Sequence, residues 1–427
     1  MGTSQTGYDG TADTKALSRA VSDFEREIEQ GYRLDHKQTF AEYADYVINL
    51  KESTGTKPRT IERYRALLVR VNRAVGHMKL TDILPQHLNA FYQNLSEEGV
   101  RQDGERAFLK MDFKEWLDER GISIAEMARR TGVSQATLAS AISGKAIMRP
   151  KAERVAAVMD RPLNEVFRLE KDTSPLSAKT VLEHHRLIST IMTQAEREML
   201  IPFNPAAKAT PPKVHRSAPD YYQQDEITRI LEALDSAPLK WRTMTYFLID
   251  TGCRRGECCG LKWTDFDFES GIVTIERALL YSTNLGVYEG TTKTGNSRVL
   301  ALAPETLEVL QEWKAEQDSM KAAYGDAWTD TGYVFTQDNG ERMNPDSLTD
   351  WLNKFSRENG LPHIHPHAFR HTAASLMIAS GVDLVTAAGE LGHASATTTA
   401  NIYAHRIQEA REKAKNVRAG IFKRKEG

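Results

Sequence analysis

One stretch of the chain, residues 365–405, constrains its fold and chemistry more than any other. It opens on HAFR, so that His367 and Arg370 stand three residues apart and share one face of a helix. The apolar residues that follow favour packing of this helix into a core, with the polar pair turned toward a cleft. The stretch ends on LGH at 391–393 and then on Tyr403. A lone His or Tyr is usually a packing residue, whereas the ordered set is far rarer.

A second polar group follows the apolar segment 241–249, where the chain reads TGCRRGE. The glycine break presents Arg254 at the start of the next helix, and Glu257 follows one turn later. A glutamate at this spacing can hydrogen-bond a guanidinium and orient it. Helix N-termini also favour anions, so the sequence predicts an anion-binding arginine here.

Lys293 lies in the tetrapeptide TKTG, which predicts a β-turn. The segments 271–275 and 297–302 have the composition of two strands, and we expect the turn at the tip of that pair. Taken alone, a lysine in such a turn is usually a solvated surface charge. Together with the other motifs it is a candidate proton donor.

These residue types suit the attack of a tyrosine on a phosphodiester. Two arginines can bind the nonbridging oxygens with planar forks of donors, and a lysine can protonate the leaving 5′ oxygen. Histidines can remove the tyrosine proton or hold the phosphate. The sequence shows no carboxylate cluster of metal-ligand type, so metal-assisted hydrolysis fits it poorly.

The motifs resemble those of the tyrosine recombinases, in the phage and conjugative-transposon integrase family. TGxRxGE, TKTG, HxxRHT and LGHxS with a later TxxxYxH occur in the family's order and usual spacing. The catalytic match covers residues 220–410, and a helical core-binding match covers 39–98 and 175–212. The resemblance implies strand exchange through a covalent 3′-phosphotyrosine, with no nucleotide or metal cofactor.

The resemblance also implies six catalytic residues: Arg254, Lys293, His367, Arg370, His393 and Tyr403. Tyr403 would be the nucleophile. Lys293 would be the general acid, and His367 the general base.

The remaining roles concern the scissile phosphate. By the same resemblance, Arg254 and Arg370 would bind this phosphate, and His393 would hydrogen-bond to it. Glu257 stands where the family keeps an acidic residue that supports the site.

Residues 101–172 interrupt the helical pattern with a different motif. A capping box at Ser123 begins one short helix, a turn at Gly132 follows, and Ser134 caps a second helix. The segment resembles the DNA-binding domain of Cro and the phage repressors, in which the second helix, here led by Gln135 and Thr137, faces DNA. A helical protein–protein module that kept this fold is the alternative.

The sequence therefore predicts a mainly α protein. It would combine a SAM-like helical core-binding domain, an inserted helix-turn-helix module, and a mixed α+β tyrosine-recombinase catalytic domain with a small β-sheet. The expected boundaries are 1–34 for an N-terminal helix, 35–100 with 173–212 for the core-binding domain, 101–172 for the insertion, 213–407 for the catalytic domain and 408–427 for a basic tail.

Two features depart from the family pattern. The helix predicted at 14–32 resembles the end of an arm-binding domain whose strands are missing, and the repressor-like insertion is not part of the usual core-binding domain. The tail could dock on a neighbouring protomer or fold back on its own domain.

Composition limits the classes of partner. The formal net charge is −2, so nucleic-acid binding would depend on local basic faces such as the one that carries Arg59 and Arg63. No apolar run is long enough for a membrane helix, and we expect no membrane partner. The three cysteines form no CxxC pair, which favours a reducing compartment, and we expect the bacterial cytoplasm.

Three functions remain open at this point. The first is a site-specific recombinase that integrates and excises mobile DNA, acting as a homo-tetramer on double-stranded attachment or element-end sites. An excisionase or a host DNA-bending protein could assist it. The second is a DNA-binding regulator with a vestigial recombinase fold. The third is a relaxing topoisomerase that uses the same chemistry on single sites.

Overall fold

A computed structural model describes residues 38–98, 105–171, 173–214, 221–292 and 295–392, with the short stretches 18–19 and 21–22. The chain divides into two compact units, Met1–His215 and Arg216–Gly427. Among the described residues, no helix combines the length and the apolar character needed to cross a membrane.

Three helices occupy the described range 38–98 of the first unit: α1 (Phe40–Ser53), α2 (Pro58–Val75) and α3 (Pro85–Leu95). Thr39 and Glu42 form a capping box that begins α1. Pro58 and Pro85 stand in the first turn of their helices, where the missing N–H has no intrahelical acceptor to lose. The sequence itself marks all three helix starts, by the Thr39 cap and by the two prolines.

A module of small helices and one sheet follows. Its elements are β1 (Glu105–Leu109), α4 (Phe113–Glu119), α5 (Ile124–Thr131), α6 (Gln135–Ile142), β2 (Ile147–Met148), α7 (Arg149–Val158), α8 (Leu163–Val166) and β3 (Phe167–Lys171). Ser123 and Ser134 cap α5 and α6, and Gly132 joins them in the left-handed region with a φ of 64°. The helix-turn-helix prediction is therefore confirmed. The antiparallel sheet, with strand order β2-β1-β3, was not predicted.

The long helix α9 (Ala178–Arg197) returns the chain to α1–α3. Ile188 and Ile191 are fully buried in one core with Phe40 and Leu88. The module thus stands in the chain between α3 and α9, and these flanking helices share a hydrophobic core with α1 and α2.

The second unit is mainly helical with two small antiparallel sheets. Its helices are α10 (Gln224–Leu234), α11 (Leu239–Thr251), α12 (Arg255–Cys259), α13 (Pro304–Tyr324), α14 (Asp346–Glu358), α15 (Pro366–Ala379) and α16 (Leu384–Leu391). Its strands are β4 (Phe266–Asp267), β5 (Ile272–Ile275), β6 (Arg277–Ser282), β7 (Gly286–Thr291) and β8 (Arg298–Ala301).

The predicted strand pair is present as β5 and β8, with Ile272 opposite Ala301. The sequence reading missed the hairpin β6–β7, which lies between them in the chain. Lys293 stands in the sequence between β7 and β8, and it lies outside the described residues, so its predicted turn stays a prediction.

One hydrophobic core joins the helices α10 to α15 of the second unit. Phe247 of α11, Trp313 of α13 and Phe369 of α15 are buried in it. The Trp313 indole N–H donates a hydrogen bond to the Val334 carbonyl at 2.8 Å, so this buried polar group is satisfied. The core fixes the positions from which α11 and α15 present polar side chains.

Candidate active site

Gly252 brings two arginines of the second unit together. It ends α11 in the left-handed region, with a φ of 59°, and Arg254 then stands at the N-terminus of α12. Arg370 of α15 donates a hydrogen bond from Nη1 to the Gly252 carbonyl at 3.2 Å. A Cβ at position 252 would lie 2.9 Å from Ala373 Cβ and from Leu391 Cδ2. Only glycine suits both the backbone and the space at this junction.

Glu257 orients Arg254 from inside the core. Its side chain is 1% exposed and accepts hydrogen bonds from the Arg254 Nη1 at 2.8 Å and from the Arg254 backbone N–H at 3.0 Å. Arg298 of β8 donates a third bond, from Nη2 to Oε2, at 2.7 Å. Burial alone would raise the pKa of Glu257, but the hydrogen bond and charge of Arg298 and the two hydrogen bonds from Arg254 lower it below the usual value. The carboxylate is ionised at neutral pH.

The end of α16 is held by the same arginines. Arg254 Nη2 donates to the Gly392 carbonyl at 3.0 Å, and Arg298 Nε donates to the Glu390 carbonyl at 2.9 Å. Carbonyls in the last turn of a helix lack intrahelical partners, so the two guanidinium groups satisfy acceptors that would otherwise need water. In the sequence this turn leads directly to His393, which lies outside the described residues.

Arg370 is buried but incompletely paired. The residue is 2% exposed, and no described group accepts a hydrogen bond from its Nη2. Burial, together with the nearby positive charge of Arg254, lowers the pKa of Arg370 to about 10. The guanidinium remains charged at neutral pH, and an anion placed beside it would relieve both the desolvation and the repulsion.

An open cleft of about 380 Å³ lies beside Arg254. Its lining residues are Cys253, Arg254, Arg255, Gly256, Thr349, His365, Pro366 and His367. His365 caps α15, because its Nδ1 accepts a hydrogen bond from the Ala368 N–H at 3.2 Å. The exposed His367 packs edge-on against His371, with ring centroids 4.5 Å apart.

The structure brings four of the seven expected site residues to one region: Arg254, Glu257, His367 and Arg370. Lys293, His393 and Tyr403 lie outside the described residues, so their positions remain predictions. Sequence reasoning missed Arg298. Its only local signal is an arginine at the start of a strand, six residues after TKTG begins.

The residues expected to contact DNA lie in the first unit. Arg59 and Gln135 are exposed, and Arg63 forms an ion pair with a glutamate of α9. The Thr137 hydroxyl shares a 2.9 Å hydrogen bond with the N-cap residue Ser134. Gln135 therefore offers a freer side chain than Thr137 at the start of α6.

The described part of the site is suited to an anion. Three guanidinium groups and one carboxylate converge there, which leaves an excess of positive charge around partly unsatisfied donors. Planar guanidinium forks match the geometry of phosphate oxygens. Within the described ranges, no three His, Cys, Asp or Glu side chains are grouped as metal ligands.

Comparison with known families gives two matches along the chain. Residues 220–409 match the model described as the phage integrase family, and residues 113–166 match a helix-turn-helix model. The first match covers every catalytic residue that the motifs indicated.

Two curated proteins show how similar the sequence is to named relatives. A protein named tyrosine recombinase XerC-like, from Caldanaerobacter subterraneus subsp. tengcongensis, is 30% identical over 264 residues, which are 58% of this chain and 67% of that protein. The ICEBs1 integrase of Bacillus subtilis is 26% identical over 241 residues, 56% of this chain and 65% of its own. The chain thus spans about two thirds of the length of both relatives.

Solved structures share the fold. The Tn1549 transposon integrase in complex with transposon right end DNA aligns over 89% of this chain and 99% of its own, with a TM-score of 0.60 and 16% identity. A lambda integrase dimer bound to a COC′ core site aligns over 92% of this chain and 81% of the integrase chain, with a TM-score of 0.53 and 16% identity. The mainly helical architecture with small antiparallel sheets is common to all three.

Proposed function

The chain belongs to the phage integrase family of tyrosine recombinases, and on that premise we propose that it integrates and excises a mobile DNA element. The observation that carries this proposal is that the buried Arg370 and the partly exposed Arg254 are held at the same junction, Arg370 by the Gly252 carbonyl and Arg254 by Glu257. Arg370 Nη2, which lacks an acceptor among the described residues, is a donor suited to a nonbridging phosphate oxygen.

The proposed reaction conserves bond energy. The Tyr403 oxygen attacks the phosphorus, the bond to the 5′ oxygen breaks, and a 3′-phosphotyrosine forms. The tyrosine proton passes to His367, and Lys293 donates a proton to the leaving 5′ oxygen. The two arginines and His393 stabilise the charge that develops on the phosphate, and removal of one such donor typically costs about 10²–10³ in rate. Attack by a new 5′ hydroxyl reverses the step, so the cycle needs no cofactor.

The partner in this proposal is double-stranded DNA at attachment or element-end sites. We assign the core-binding role to residues 35–100 with 173–212, and a second DNA contact to Gln135 and Thr137 in the inserted module. Arg59 and Arg63 would contact phosphates. Strand exchange would need four protomers on two duplexes, with an excisionase or a DNA-bending protein setting the direction. We expect the protein to act in the bacterial cytoplasm, where it would meet the DNA of the host and of the element.

Covalent trapping tests the proposal. A nicked suicide substrate, made from the ends of the element that carries the gene, is incubated with the wild-type protein and with Tyr403→Phe. We expect a slowly migrating protein–DNA band on a denaturing gel with the wild type alone. No band from the wild type, despite retained binding in a gel shift, would overturn the recombinase assignment and favour a DNA-binding regulator.

A further inference from the structure

Arg298 links three elements of the active site, although no motif singled it out. It begins β8, and its side chain is 10% exposed. Nη2 donates to Glu257 Oε2 at 2.7 Å, and Nε donates to the Glu390 carbonyl at 2.9 Å. One guanidinium therefore joins the buried carboxylate of α12 to the last turn of α16.

The backbone at the end of α16 is shaped to lie against this guanidinium. Gly392 adopts a φ of 63°, and a Cβ there would stand 2.8 Å from Arg298 Nη1. The close approach keeps the Glu390 and Gly392 carbonyls beside two arginine forks. Cations at a helix C-terminus are stabilised by the partial negative charge of such carbonyls.

Arg298 also changes the charge balance around Arg254. Glu257 gives Oε1 to the Arg254 side chain and divides Oε2 between Arg298 and the Arg254 backbone N–H. With one carboxylate between two guanidinium groups, the trio keeps a net positive charge. Without Arg298, Glu257 would neutralise Arg254 alone, and the site would attract an anion less strongly.

We propose that Arg298 is a positioning residue of the recombinase, which fixes the orientation of Arg254 toward the phosphate through Glu257 and the end of α16. Its hydrogen bonds go to Glu257 and to the Glu390 carbonyl, so it acts through these neighbours. This inference rests on the proposed function of the site, because the effect of Arg298 is measured as a change in the rate of DNA cleavage.

The test separates cleavage from DNA binding. The rate of covalent complex formation on the nicked substrate and the affinity in a gel shift are measured for wild type, Arg298→Met and Arg298→Lys. We expect Arg298→Met to lower the cleavage rate by about 10²-fold, the lower end of the effect of losing one direct donor. Its affinity should stay close to that of the wild type, since binding depends on phosphate contacts elsewhere.

The lysine variant tests the need for a planar fork. Lysine keeps the charge but presents a point donor, which cannot span the Glu257 carboxylate and the Glu390 carbonyl as the guanidinium does. We expect Arg298→Lys to cleave at a rate between those of wild type and Arg298→Met. It also keeps the inference testable if the methionine variant does not fold.

Arg277→Met is the matched control. Arg277 also begins a strand and is 15% exposed, but its ion pairs are with Asp265, Glu276 and Glu289, none of which belongs to α16. It should bind and cleave DNA like the wild type, with any loss of stability measured by thermal unfolding. Equal loss of cleavage in Arg277→Met and Arg298→Met would show that any broken ion pair has this effect, and would overturn the inference.

A double-mutant cycle with Glu257→Gln tests the route. If Arg298 acts through Glu257, the double variant should lose less cleavage than the product of the two single losses. If the loss of cleavage rate in the double variant equals the product of the two single losses, the inference that Arg298 acts through Glu257 is overturned. If the wild type itself forms no covalent complex, the proposed function fails. If the wild type cleaves and Arg298→Met cleaves equally well, only the role of Arg298 fails.

Discussion

Gly252 meets two separate demands at the residue scale. Its positive φ ends α11 at Thr251, and the absence of a side chain lets Ala373 of α15 and Leu391 of α16 pack against its backbone. Its carbonyl also accepts the hydrogen bond from Arg370 Nη1. The position of a buried arginine therefore depends on a residue that has no side chain of its own.

Gly252→Ala should destabilise the second unit by about 2–5 kcal/mol. A left-handed backbone costs a residue with a Cβ about 1–2 kcal/mol, and overpacking adds about 1–3 kcal/mol. Denaturant unfolding followed by tryptophan fluorescence measures it, because Trp116 is the one tryptophan outside the second unit.

Gly286→Ala is the control for the backbone alone. Gly286 has a φ of 66°, but a Cβ there would meet nothing within 4 Å. It should cost only the backbone strain, about 1–2 kcal/mol. Equal losses of stability in the two variants would contradict the steric role assigned to Gly252.

At the scale of elements, local signals explain what the sequence could predict. Local signals mark each helix start within a few residues. They are the capping box at Thr39, the prolines at 58 and 85, and the cap at Ser134. The hairpin β6–β7 has no such signal. Its first strand reads RALLYS, which suits a helix equally well, and pairing with a neighbour decides the outcome.

The same distinction applies to the site. His367 and Arg370 are three residues apart, as are Arg254 and Glu257, so both pairs could be predicted from helical spacing. Arg298 lies 41 residues from Glu257 and 92 from Glu390, and nothing local marks it. Its role could be found only from the tertiary contacts.

The inserted module enters and leaves the helical domain at neighbouring points. Glu105 of β1 lies opposite Lys171 of β3, and the Leu176 N–H donates to the Leu95 carbonyl at 3.2 Å. The module has its own core, which includes Phe113, Val133 and Phe167. These features favour a module that can be removed without loss of the surrounding fold.

Replacement of residues 99–173 by a flexible linker of about four Gly and Ser residues should leave α1–α3 and α9 packed together. We expect the shortened protein to trap the suicide substrate at the rate of the full chain, and to lose any DNA contact made by α6. Circular dichroism and covalent trapping measure both. The control carries the same linker inserted after residue 98 with the module kept. Loss of cleavage in the shortened protein alone would mean that the module takes part in the reaction.

At the scale of the whole molecule, the local distribution of charge differs from the formal net charge, because basic side chains are grouped on one helix face. The net charge of −2 does not favour a polyanion as partner. The helix α2 nevertheless exposes Arg59 and Arg63 on one face, while Arg65 on another face pairs with Glu52 at 2.6 Å. Association with DNA depends on such local faces more than on the total charge.

DNA binding should therefore weaken steeply as salt concentration rises. Each phosphate contact releases counterions, and the logarithm of affinity falls with the logarithm of salt concentration by about 0.9 per contact. Arg59→Gln should reduce this slope by about one, because it removes one phosphate contact. Arg65→Gln, on the same helix but engaged with Glu52, should leave the slope unchanged. Fluorescence anisotropy with a labelled element-end duplex between 50 and 200 mM salt, about the range over which such losses are large, measures all three slopes. A flat response of the wild type would contradict DNA as the partner, and equal slopes for the two variants would remove Arg59 from the interface.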